Sequence, residues 1–121
     1  MTFEIGQSAE KKRSFSASDI AAYSFLGGDV PGGEQVPEPL IGALFSYLLG
    51  VKLPGLGTHY LKQESHYPGT ARADELLTAR VEIVRLRPDK QLVDLLTVCT
   101  GSDGRVICEG RALVHVGDVA R

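Results

Sequence analysis

The chain is predicted to be an α+β protein in which a curved antiparallel sheet wraps one long apolar helix. Three observations predict this. First, Pro39 to Gly50 reads PLIGALFSYLLG, apolar or small on every side, with only Ser46 and Tyr47 carrying polar side-chain atoms. A surface helix would show one apolar stripe and one polar face, so this one is expected to be enclosed. At about 1.5 Å per residue it spans about 18 Å, too short for a bilayer. Second, the latter half of the chain alternates apolar and polar residues at the period of two that marks half-buried strands. Third, short turn-forming clusters separate those runs, which makes neighbouring strands antiparallel.

In chain order, residues 10–16 mix polar and apolar types and suit a first strand. Ser18 is placed to cap a short helix from Asp19 to about Leu26, with Asp19 at its positive end. Gly27-Gly28 ends that helix. Asp29 to Pro39 holds three prolines, and two glycines follow Val30, so an irregular loop is expected there. Pro39 suits the first turn of the apolar helix, where a missing N–H costs nothing. Gly50 is its expected end.

His59 to Tyr67 is the next candidate strand. Leu76 to Leu86 places Leu77, Ala79, Val81 and Ile83 on one face, and Thr78, Arg80 and Glu82 on the other. Pro88-Asp89-Lys90 makes a turn. Gln91 to Thr100 aligns Val93, Leu95, Thr97 and Cys99. Val106 to Val116 aligns Val106, Cys108, Gly110, Ala112, Val114 and Val116. The last three strands form an antiparallel meander. A two-residue turn at Asp103-Gly104 would set Ser102 opposite Arg105 and Cys99 opposite Cys108, whereas a four-residue loop would pair Cys99 with Val106. In a reducing compartment both cysteines are expected to be free, buried thiols.

The composition narrows the function. The 121 residues suit a single domain, 1–121, and a net charge of −2 with one basic triplet, Lys11-Lys12-Arg13, argues against nucleic-acid binding. Two cysteines with no histidine at a finger-like spacing argue against a metal site. The N-terminus, Met-Thr-Phe-Glu, lacks the charged and apolar regions of a signal peptide, so a cytoplasmic location without membrane attachment is expected. The element order, strand, helix, loop, apolar helix and four strands, is that of the hot-dog architecture.

Three stretches then carry a resemblance: FSASDIAAYSFLGGD, PLIGALFSYLLGVKLPGLGTHYLKQ and DELLTARVEIVRLRPDKQLVDLLTVC. Together they resemble the MaoC-like (R)-specific enoyl-CoA hydratases over about Phe15 to Val116. The most specific piece is the helix running into Leu53-Pro54-Gly55-x-Gly57-Thr58, then Tyr60-Leu61. The resemblance implies hydration of trans-2-enoyl thioesters to (R)-3-hydroxyacyl thioesters, or the reverse dehydration. It implies an acyl-CoA or carrier-bound substrate, no metal and no redox cofactor. It also implies a homodimer or larger assembly built from paired sheets.

Such chemistry needs one group to take a proton from water, one to give a proton to the α carbon, and a donor for the thioester carbonyl oxygen. In the family an Asp-x-Asn-Pro-x-His motif supplies the first two, and a Val-x-His-Gly-like helix start supplies the donor. Asp29, after Gly28, stands at the aspartate position. Pro31 replaces the asparagine, Gly32 the proline and Glu34 the histidine. At the helix start, Pro37-Glu38 replaces His-Gly, so a backbone N–H survives at Glu38 but not at Pro37 or Pro39. The segment joining motif to helix is much shorter than the family's. Asp29 and Glu34 are therefore the candidate catalytic carboxylates, with Glu38 and Pro39 the candidate substrate-binding residues.

Each has a plainer reading: Asp29 as a turn cap, Glu34 as an exposed loop residue, Glu38 as a helix-dipole partner. His59, His66 and His115 are expected to be strand-face residues, and Tyr60 and Tyr67 packing residues. Two alternatives to the hydratase remain at this point: an acyl-CoA thioesterase using these carboxylates, and a non-catalytic hot-dog subunit that binds acyl-CoA.

Overall fold

The computed structural model describes residues 3–28 and 34–119. The candidate Asp29 lies outside the described residues. The elements are β1 (Ser8–Arg13), α1 (Ala17–Phe25), α2 (Glu38–Tyr47), β2 (His59–His66), β3 (Leu77–Arg87), β4 (Leu92–Thr100) and β5 (Val106–His115). All five strands form one antiparallel sheet in the order β1-β3-β4-β5-β2. This is the expected hot-dog arrangement, with α2 packed against the sheet. Among the described residues, no helix is long and apolar enough to cross a membrane.

The alternation in β3 to β5 builds the core. Leu77, Ala79, Val81, Ile83, Leu95, Cys99, Cys108, Ala112 and Val114 are wholly buried. Ile41, Leu44 and Phe45 of α2 pack into the same cluster. Cys99 and Cys108 are free thiols and directly paired across β4 and β5. Burial, the main cause, pushes the Cys99 thiol up to about 12. Neither expected turn produces the pairing. Gly101 N–H donates to Arg105 O at 2.8 Å and Gly104, with φ +83°, closes the loop onto Gly101 O. The loop therefore spans three residues, and a bulge between Cys99 and Thr100 restores the cysteine register and turns Val106 outward.

The first helix starts two residues earlier than expected. Ser16 is the cap, not Ser18: its Oγ accepts from Asp19 N–H at 3.1 Å while the Asp19 carboxylate accepts from Ser16 N–H at 2.9 Å. Only a residue three before an acidic side chain can close this reciprocal pair.

The apolar helix departs from expectation more instructively. Its α-helical part runs Glu38–Tyr47 and continues as a π-helical turn, Leu48–Lys52. One side is sealed against the sheet through Ile41, Phe45, Leu48 and Leu49. The other is open: Tyr47 is 39% exposed and Val51 49%. The expectation that the chain encloses the helix on all sides therefore holds for one side only. The strongly apolar sequence reflects a sealed face plus an uncovered apolar face.

Candidate active site

A cleft of about 380 Å³ opens at the N-terminal end of α2, between that helix start and the Tyr67–Ala71 segment. Backbone pairing creates it. Val36 N–H donates to Ala71 O at 2.8 Å and Ala73 N–H to Glu34 O at 2.7 Å, around a bridge between Gln35 and Arg72. This short ladder delivers the chain into the helix beside residues 69–71.

A second set of bonds steadies the same segment from outside. Arg105, on the turn between β4 and β5, donates to Thr70 O at 2.9 Å and to both Glu75 carboxylate oxygens at 3.1 Å. Burial alone would push the Glu75 carboxyl up. The Arg72 and Ser102 N–H groups and the Arg105 guanidinium outweigh it and hold the carboxyl below its usual range.

The helix start is unusual. Its cap residue is Pro37, which offers no side-chain acceptor, and Pro39 sits in the first turn. Leu40 N–H turns back to Pro37 O at 3.0 Å. Between two prolines that lack N–H groups, Glu38 contributes the one amide proton of residues 37–39. Among the described residues no acceptor meets that N–H. An unsatisfied N–H at the positive end of a helix is suited to an oxygen that gathers negative charge.

Glu38 and Pro39 both line the cleft. Glu34 does not: its residue is exposed, and its backbone carbonyl is spent on the ladder with Ala73. The histidines lie on strands, His59 and His66 in β2 and His115 in β5, and none lines the cleft. Among the described residues, no group of three or more His, Cys, Asp or Glu side chains could hold a metal ion.

Sequence reasoning missed Tyr67 as a cleft residue. Its hydroxyl donates to the Glu38 backbone carbonyl at 3.3 Å. Burial chiefly, with Cys108 nearby, raises the phenol well above its ordinary pKa. The available signal lay in β2, where Gln63 and Ser65 share with Tyr67 the face that turns toward the helix. Gln63 Nε2 donates to Ser65 Oγ at 3.0 Å and to Thr97 Oγ1 at 3.1 Å, and Tyr60 hydrogen-bonds Gln63. A polar series on an otherwise apolar inner face marks a wall that is not simply core.

Comparison with known proteins decides the family. No family model matches the chain. An (R)-specific enoyl-CoA hydratase of Aeromonas caviae is 31% identical over 129 residues, spanning 95% of this chain and 96% of that protein. The chain belongs to the (R)-specific enoyl-CoA hydratase family. A solved (R)-hydratase structure from A. caviae superposes with a TM-score of 0.89 at 30% identity, over 94% of this chain and 97% of the other. A 3-hydroxybutyryl-CoA dehydratase of Methylorubrum extorquens is 28% identical over 93% of this chain and 80% of its own length. The family membership matches the resemblance carried by the helix and its Leu53–Thr58 exit.

Proposed function

We propose that this hydratase-family protein adds water across the double bond of a trans-2-enoyl-CoA, giving an (R)-3-hydroxyacyl-CoA, and runs the reverse dehydration. The observation that carries this reading is the near full-length similarity to proteins named for that reaction, joined to a cleft at the N-terminus of α2. The substrate thioester carbonyl lies at the Glu38 N–H, which stabilises the enolate oxygen as charge builds there. Asp29 takes a proton from water as the water oxygen bonds to the β carbon, and the protonated Asp29 carboxyl then returns that proton to the α carbon of the enolate, so the carboxylate is regenerated. Glu34 holds the sequence position of the family's histidine, but it stands outside the cleft lining and takes no step in this reaction. The reaction calls for no metal and no redox cofactor beyond the coenzyme A of the substrate, and the compartment is the cytoplasm.

The test is the loss of enone absorbance when the purified chain meets crotonyl-CoA, with free thiol measured in parallel. Hydration without thiol release is the expected result. Thiol release would instead establish a thioesterase, and acyl-CoA binding without turnover a non-catalytic subunit. Glu38→Ala keeps the backbone N–H, so kcat is expected to stay within about threefold of wild type. A fall of about 10²-fold would assign the chemistry to the carboxylate instead.

The working form is a homodimer. Leu56, Tyr60 and Leu61, at and just before the edge strand β2, are each at least 41% exposed, and Tyr47 and Val51 are exposed on the open side of the helix. Sedimentation equilibrium is expected to give twice the 13.0 kDa of one chain. A monomer at tens of micromolar would remove the dimer.

A further inference from the structure

Tyr67 belongs to none of the motifs that carry the family resemblance, yet it stands in the cleft. It follows directly after β2, half-buried, and its hydroxyl meets the backbone of the helix start. Gly42, one turn further along α2, faces it: a Cβ there would stand 4.0 Å from the Tyr67 hydroxyl, an ordinary contact. On the sheet side the same hydroxyl is also within hydrogen-bond reach of the Cys108 thiol, and burial raises that thiol too. The phenol therefore keeps its proton at neutral pH and remains a donor.

What it donates to matters because the helix start has lost its ordinary restraint. A serine, threonine or aspartate at the cap would normally pin the first turn through a side-chain acceptor. Pro37 cannot. The first turn is held instead by the Val36–Ala71 bond on one side and by the Tyr67–Glu38 bond on the other.

We propose that Tyr67 is a positioning residue: anchored at the end of β2, its O–H holds the Glu38–Pro39 peptide so that the Glu38 N–H stays aimed at the thioester carbonyl oxygen. This role rests on the hydratase reading given above. It acts through Glu38, and Tyr67 itself exchanges no proton with the substrate. Donors of this kind act by being fixed before the reaction, so loosening the aim costs rate more than binding.

The experiment compares wild type with Tyr67→Phe, which keeps the ring and removes only the O–H. With crotonyl-CoA, kcat is expected to fall about tenfold while KM stays within about twofold. The melting temperature should move by less than ~2 °C. In ¹H–¹⁵N spectra titrated with butyryl-CoA, a saturated thioester, the Glu38 amide should shift on binding in wild type and shift less in Tyr67→Phe. A wild type inactive on crotonyl-CoA overturns the hydratase reading and this role with it. An active wild type with an equally active Tyr67→Phe overturns the role alone. A Tyr67→Phe variant whose kcat loss comes with a melting temperature lowered by more than about 5 °C also overturns it, since that is the signature of packing.

Discussion

Asp29→Asn is expected to lower kcat for crotonyl-CoA hydration by about 10²–10⁴-fold, the usual contribution of a positioned general base. Asparagine has nearly the same size and keeps a hydrogen-bonding oxygen, but it cannot accept a proton from water at neutral pH. KM should therefore change little and the melting temperature not at all. The approach to this residue is constrained by what precedes it. Gly28 N–H donates to Tyr23 O at 3.1 Å, and a Cβ at Gly28 would run into the Tyr23 ring. The glycine lets the chain leave α1 tightly against its own helix. Steady-state rates for wild type and variant, at saturating and limiting substrate, check the prediction. A variant within threefold of wild type would remove Asp29 from the chemistry.

Phe45→Ala is expected to cost about 3–5 kcal/mol, the range for emptying a phenylalanine site in a core that relaxes only partly. Phe45 is 1% exposed and sits in the last turn of α2 on the side sealed against the sheet. For a chain of this size the loss corresponds to a melting temperature lower by roughly 10–25 °C. Urea unfolding followed by circular dichroism measures it. A change below about 1 kcal/mol would mean that the helix is not seated on the sheet as described. The cleft depends on that seating, because the same helix carries Glu38 at its start.

The sheet was legible in the sequence because its signal is local. Leu77, Ala79, Val81 and Ile83 repeat at every second position, and the structure buries all four completely. The start of α1 was harder, since Ser16 and Ser18 are equally good caps by type. Only the reciprocal bonds with Asp19 choose between them. The π-helical turn at Leu48–Lys52 has no compositional mark. The open side of α2 was misread because an apolar side chain does not reveal which chain covers it.

The site divides in the same way. Glu38 and Pro39 were visible through their place at the helix start. Glu34 shares a position with a family histidine, but backbone pairing with Ala73 turns its segment into a ladder. Tyr67 was invisible for a physical reason: its partner is a backbone carbonyl 29 residues away. Every residue owns such a carbonyl, so no side-chain pattern announces the bond.

The two margins of the sheet differ in kind. The β1 margin is six residues long and presents Glu10, Lys11, Lys12 and Arg13, all exposed. The β2 margin carries exposed Tyr60 and Leu61 beside a Lys62–Glu64 ion pair, and a register shift between Tyr60 and Lys62. Strand edges invite further strands unless charge or irregularity discourages them. A second copy docking at β2 would consume that margin in both molecules and leave facing outward the two β1 margins, each with four consecutive exposed charges. Pairing of this kind is self-limiting: it closes on a two-fold axis and offers no end from which a filament could grow.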